Sequence, residues 1–233
     1  MDTPATTLRL DQLRYAWPGR DPFTLEIPEF AIKQGERVLL LGESGSGKST
    51  LLSLICGTIT PQSGRVSVAG TDIAALSPAK RDSFRAEQIG LIFQQFNLLP
   101  YASVRDNILL PLRFAPKRRA RVPSPVQAAE ALCLNLGLPQ QAIEAQAGTL
   151  SVGQQQRVAA ARALIGAPPL IIADEPTSAL DAATQTTFLD LLFAQSRAAG
   201  STLLMVSHDA RLSKHSDRAV QIADITRHKR TPA

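Results

Sequence analysis

Residues 42–50 read GESGSGKST, the pattern G-x-x-x-x-G-K-[ST], and they stand between the apolar run RVLLL at 37–41 and the helical run STLLSLIC at 49–56. That context gives the pattern its meaning, because a strand must deliver the loop and a helix must receive it. Gly42, Gly45 and Gly47 let the backbone curl until successive N–H groups and the helix N-terminus point at phosphate oxygens. Glu43, Ser44 and Ser46 complete the loop. Lys48 adds a point charge for β- and γ-phosphates, Ser49 a hydroxyl that can ligate Mg²⁺, and Thr50 a second hydroxyl one residue further on.

The acidic partner of such a loop lies at 170–181, LIIADEPTSALD. Four apolar strand residues end in Asp174, at the carboxyl edge of a sheet where parallel α/β proteins bind ligands. Asp174 is therefore the metal-side carboxylate. Glu175 follows at once and is placed to polarise a water for attack on phosphorus. Kinases, which transfer to a substrate hydroxyl, lack that second acid, so the pair argues for hydrolysis.

Outward from these two sites the chain alternates. LRLDQLRYAW and FTLEIPEFAI read as strands, the second with Pro28 suggesting an edge or a break, and GRVSVAG and IGLIF read as strands further on. Ser77 before Pro78 starts a helix. From Gln94 to about Ala167 helices and loops take over, including SVRD with Ser103 and Asp106 at cap spacing. LIIAD, a long helix from about Asp181 closed by Gly200, TLLMVS and RAVQIA then resume the alternation. Residues 1–93 and 168–233 thus form an α/β core and 94–167 an inserted helical part of one domain spanning 1–233.

With 233 residues, 44% of them apolar and 19% charged, the chain can bury a sizeable core. Its apolar runs are strand-length, far short of a membrane span, and MDTPATTLRL lacks the pattern of a secretory leader, which predicts a cytoplasmic chain. Cys56 and Cys133 each sit in an apolar helical pattern and read as reduced filler. The net charge of +5 is partly gathered in Arg113, Lys117, Arg118, Arg119 and Arg121 and in RHKR near the end. Each run reads first as a solvated face and second as a patch for an anionic membrane leaflet or nucleic acid.

Taken together these motifs resemble the nucleotide-binding subunit of an ABC transporter, in that family's order and over nearly the whole chain. The resemblance implies an α/β fold: a P-loop NTPase (RecA-like) core, an N-terminal antiparallel β part and an inserted α-helical subdomain. It makes GESGSGKST the Walker A loop, LIIADE the Walker B strand with Glu175 as catalytic glutamate, and SALD the D-loop, whose Asp181 faces a partner subunit. LMVSHD is similar to the switch region and places His208 near the γ-phosphate. Gln94 matches the glutamine that joins core to helical part and senses Mg²⁺ and the attacking water. An aromatic of the first strand stacks on adenine; Trp17 fits best, with Tyr15 on the same face.

The implied ligands are ATP and Mg²⁺, and the implied partners a second copy of the chain and an integral-membrane permease that would hold the subunit on the inner face of the cell membrane. FQQFNLLPYASVRDNILLPLRF is similar to the lipoprotein-release and macrolide-export subgroup, with the cell-division ATPase close by, a regulator without transport. Relatives that act on DNA or ribosomes carry tandem domains, coiled-coil insertions or cysteine-rich metal sites, so no nucleic-acid partner is expected.

One stretch departs from the family pattern. Residues 150–154 read LSVGQ where the pattern is Leu-Ser-Gly-Gly-Gln. Ser151, Gly153 and Gln154 remain, and the resemblance gives them to the ATP held by the other subunit. Val152 is β-branched and is tolerated only where φ is negative and its side chain points away from nucleotide, which is the expectation here.

Overall fold

The three runs RVLLL, LIIAD and TLLMVS lie side by side as parallel strands. A computed structural model of the chain describes residues 5–18, 24–178 and 180–229. Residues 1–4, Phe23, Ala179 and Arg230, which belong to stretches read above, lie outside the described residues.

The chain opens with β1 (Thr6–Ala16), β2 (Thr24–Lys33), β3 (Arg37–Leu41) and helix α1 (Lys48–Ile55). Next come β4 (Ser63–Val68), β5 (Thr71–Asp72), α2 (Pro78–Gln88) and β6 (Ile89–Ile92). Only helices and turns occupy the following stretch: α3 (Val104–Leu109), α4 (Pro116–Ala120), α5 (Pro125–Asn135) and α6 (Val152–Leu164). The remainder runs β7 (Leu170–Asp174), α7 (Ala182–Ala198), β8 (Thr202–Ser207), β9 (Arg218–Gln221), α8 (Ile222–Ile225) and β10 (Arg227–Lys229).

Two sheets result. One is antiparallel, in the order β10-β2-β1-β4-β5; the other is parallel, in the order β6-β7-β8-β3-β9. Strands of a parallel sheet are covered on both faces, which is why their sequences are continuously apolar rather than alternating. Leu39, Ile171 and Met205 face α3, α5, α6 and α7, while Leu40, Ile172 and Leu204 face α1 and the antiparallel sheet. The helices between β6 and β7 share the first of these cores, where Val104, Ile108 and Cys133 pack with Leu39 and Ile171. Cys56 and Cys133 are buried free thiols, each pushed up to about 12 chiefly by burial, as expected of inert packing.

Pro28 does not break β2, which runs on to Lys33, but it does sit where one side of β2 has no partner strand, the edge position that is one of the two readings from sequence. Strand β10 pairs only with Thr24–Glu26, so no strand flanks Pro28 on that side, and on the other side Pro28 lies opposite Gln12, whose φ is +47° and where β1 bulges against β4. Neither side needs a proline N–H there. The bulge also resets the alternation of β1, so that Leu13 rather than Gln12 follows Leu8 and Leu10 into the core.

Strand register sets up one functional edge. Leu41 pairs with Ser207, Asp174 with Val206, and Ile92 with Ala173. The segments beginning at 42, 175, 208 and 93 therefore leave the sheet side by side at its carboxyl end. Among the described residues no helix is long and apolar enough to cross a membrane.

Candidate functional site

The loop after β3 is shaped by two glycines above all. Gly47 precedes α1 with φ +93°, in the left-handed region that suits glycine. At Gly42 an added Cβ would come within 2.6 Å of Ile222 and 2.7 Å of the Ser46 hydroxyl. Ser46 donates to the Glu43 carbonyl at 2.7 Å and closes the turn. Lys48 spans the loop, its ammonium donating to the carbonyls of Gly42 at 2.6 Å and Glu43 at 2.7 Å. No side chain caps α1 and no acid occupies its first turn, so its N–H groups remain available to an anion.

This loop forms one wall of a cavity of about 970 Å³. Trp17 and the loop residues Glu43, Ser44 and Gly45 line it, as do Lys48, Ser49 and Thr50 of the helix. Gln94, Asp174, Glu175 and His208 line the rest, each delivered by a strand end of the parallel sheet. The sequence-predicted residues from five separate segments thus meet at one place.

Asp174 has a raised pKa, first because burial disfavours its charged form and second because Glu175 is adjacent; Lys48 pulls the other way. Glu175 is held from two sides. Its Oε1 lies 3.0 Å from Nδ1 of His208, and its Oε2 accepts from the Ser207 hydroxyl at 3.2 Å. Its backbone N–H donates to the Val206 carbonyl at 2.9 Å, and its φ is +45°, a left-handed conformation uncommon for a residue with a side chain. Strain of this kind is retained where surrounding bonds over-determine it, and it gathers at sites that do chemistry.

Ser151, Gly153, Gln154 and Asp181 lie outside the lining of that cavity. Ser151 caps α6 in a reciprocal box: its hydroxyl accepts from the Gln154 N–H at 3.3 Å, and the Gln154 side chain accepts from the Ser151 N–H at 3.0 Å. Val152 is the first residue of the helix, is absent from the positive-φ positions and is 49% exposed, so it lies easily where it is. Around Gly153 an added Cβ would find nothing within the chain closer than 3.7 Å, so its bareness answers no need of this chain's own packing. Asp181 caps α7 through Thr184, accepting from its N–H at 3.0 Å and its hydroxyl at 2.8 Å.

Residues 25–178 match the family described as ABC transporter. The chain belongs to the ABC transporter family. It binds ATP and is an ATPase subunit of that family. It is 43% identical over 196 residues to the lipoprotein-releasing system ATP-binding protein LolD of Anaeromyxobacter dehalogenans, covering 84% of this chain and 81% of that one. It is 40% identical over 198 residues to the uncharacterized ABC transporter ATP-binding protein YbbA of Escherichia coli K12, covering 84% of each. It is also 40% identical over 193 residues to the macrolide export ATP-binding/permease protein MacB of Rhodopirellula baltica; 83% of this chain is covered but only 28% of that longer protein. Among solved structures, a dimeric post-hydrolysis state of the ATP-binding cassette MJ0796 bound to ADP and Pi superposes with a TM-score of 0.79 at 32% identity, covering 97% of this chain and 99% of that one.

Within this ABC ATPase the two candidate aromatics part company. Trp17 lines the cavity and its indole N–H donates to the Thr50 hydroxyl at 3.0 Å. Tyr15 does not line it; it packs on the core and meets Trp17 edge-on, with ring centroids 5.3 Å apart. Sequence reasoning missed three residues that tie the site together. Ser207 was read only as part of a strand end, yet it bonds Glu175. From α6, buried Gln156 donates to the Pro176 carbonyl beside Glu175, and buried Arg162 donates to the Asn97 carbonyl at 2.6 Å, near Gln94. Inside a polar helix, nothing in spacing distinguishes these two from solvated neighbours.

Proposed function

We propose that the chain works as one of two identical subunits that close head to tail around two ATP molecules and drive a membrane permease, releasing or exporting a lipid-linked or hydrophobic substrate. One observation carries this. Nucleotide-side residues line a single cavity, whereas Ser151, Gly153, Gln154 and Asp181 of the same chain point their chemistry elsewhere. A second copy would bring those groups to the open side of the site.

In this reading the loop N–H groups and Lys48 grip the phosphates, Trp17 stacks on the adenine, and Glu175 takes the proton of the attacking water. His208 and Ser207 orient that carboxylate, and Gln94 links the site to the helical region. Ser49, Asp174 and Gln94 present hard oxygen donors in one cavity, and half-buried Asp174 beside Glu175 is a natural place for a cation, so the set suits Mg²⁺. Bound there, the ion would neutralise charge on the phosphoryl oxygens.

The permease contact is assigned to a groove of about 590 Å³ that runs from α2 past Gly90 and Phe93 to Leu110, Pro111 and Phe114. It adjoins Gln94, so closure around ATP reaches it directly. Contacts that ATP makes to both subunits exist only in the closed state, so binding favours closure and hydrolysis releases it. Names of the LolD and MacB relatives support release or export as the direction of use. The test is affinity purification from detergent-solubilised membranes together with ATP hydrolysis. Recovery of a permease that stimulates hydrolysis supports the reading, and recovery of ribosomes or DNA in its place refutes it.

A further inference from the structure

The basic run between Arg113 and Arg121 is divided by the fold. Arg118 is 1% exposed and points inward, donating to the carbonyls of Ile165 at 2.6 Å, Ala163 at 2.7 Å and Ala86 at 3.2 Å. Glu87 accepts the backbone N–H groups of Lys117 at 2.9 Å and Arg118 at 2.6 Å, so it is spent on the backbone. Arg113, Lys117, Arg119 and Arg121 stay exposed, and none has a carboxylate within ion-pair distance among the described residues. Cations on the antiparallel sheet differ: Arg9 pairs with Asp11, Arg14 with Glu26 and Arg65 with Asp72. Between Arg113 and Lys117 stands Phe114, 66% exposed at the rim of the groove assigned to the permease.

We propose that Arg113, Lys117 and Arg121, with Phe114, form a contact surface for anionic lipid headgroups of the membrane that surrounds the permease. The location rests on the permease reading above; the chemistry rests on the patch. Three long, unpaired cations at four-residue spacing offer no fixed geometry for a folded acidic partner, but they suit a fluid anionic surface, to which each contributes about a fivefold gain in binding. An exposed ring among cations is the arrangement found at the boundary between headgroups and acyl chains. Arg118, locked into the protein, holds that surface rigid against the core.

The experiment uses the full chain and vesicles of phosphatidylcholine with or without phosphatidylglycerol, read by co-sedimentation across a salt series. The triple variant Arg113→Ala/Lys117→Ala/Arg121→Ala is compared with Arg9→Ala/Arg14→Ala/Arg65→Ala, which removes the same charge from the paired surface. The expected result is salt-sensitive binding to phosphatidylglycerol vesicles alone, weakened on the order of a hundredfold in the first variant and barely changed in the second. Equal losses in both variants, undiminished binding in the first, or no preference for phosphatidylglycerol in the unaltered chain overturns the proposal. If the unaltered chain ignores the vesicles and the first variant loses the permease in neutral detergent, the patch serves an acidic protein surface instead. Vesicle binding needs neither nucleotide nor permease, so this test can fail while ATP-driven coupling stands, and the reverse.

Discussion

Nδ1 of His208 lies 3.0 Å from Oε1 of Glu175, and the Ser207 hydroxyl donates to the other carboxylate oxygen, so one acid is clamped by two consecutive residues of the neighbouring strand end. Replacing Glu175 by Gln keeps the shape and removes the base. ATP binding persists in Glu175→Gln, hydrolysis falls by about a hundredfold or more, and an ATP-dependent dimer accumulates. Phosphate release, nucleotide binding and size-exclusion chromatography with and without ATP read the three outcomes; turnover at the original rate removes Glu175 from its role.

Lys48 bridges the carbonyls of Gly42 and Glu43 across the mouth of the loop. Lys48→Ala removes the charge meant for the phosphates and the brace that spans the turn. Nucleotide affinity drops at least about tenfold and hydrolysis is lost. Isothermal titration with a non-hydrolysable ATP analogue checks this, and unchanged affinity sinks the assignment of the loop.

Trp17 is the only tryptophan in the chain, so its fluorescence reports on one place. Adding ATP changes its emission, and Trp17→Ala weakens ATP binding by about fivefold to a hundredfold, the range for losing an aromatic stacked on a base. Tyr15→Phe leaves affinity as it was, because that ring supports Trp17 edge-on without reaching the cavity. A spectrum indifferent to ATP argues against stacking.

Burial and the adjacent Glu175 raise the pKa of Asp174 in the folded chain. The folded state therefore gains from protonating Asp174 in acid, and that gain is lost as pH rises through the raised pKa. At neutral pH the ionised carboxylate is a cost to the nucleotide-free fold. Asp174→Asn consequently raises the melting temperature at neutral pH, the advantage narrows on acidification, and hydrolysis is lost. A lower melting temperature for the variant at neutral pH would show that Asp174 stabilises the empty fold.

Arg118 donates to carbonyls at the end of α6, at the end of α2 and just beyond each. Arg118→Met leaves several of those buried acceptors without partners, a loss of about 3 kcal/mol or more and a fall in melting temperature on the order of 10 °C. Differential scanning fluorimetry reads it directly, and a shift of only a degree or two would mean that the carbonyls find other donors.

Local chemistry was legible in the sequence, and long-range satisfaction was not. GESGSGKST announces itself because turn, helix N-terminus and lysine are neighbours in the chain, and Ser103 was visible as a cap because Asp106 is three residues away. The valine at 152 was read as tolerable at negative φ, and the structure places it on the outer face of the first turn of α6. The Glu175–His208 contact depends on β7 and β8 being neighbours in register, which spacing alone does not state. Arg118 looked like one more exposed cation in KRRAR. Only the approach of α2 and α6 from far along the chain turns it inward, since a guanidinium is buried where enough carbonyls converge to replace its water. Pro28 signalled an edge or a break, and only where β10 stops decides that it is an edge.

The left-handed backbone at Glu175 has an evolutionary edge. A glycine or asparagine at 175 would hold that conformation with less strain, and either would also take one negative charge away from Asp174. Laboratory selection for heat resistance alone, blind to turnover, should therefore drift at this codon toward glycine or asparagine, yielding sturdier proteins that grip ATP and never let it go.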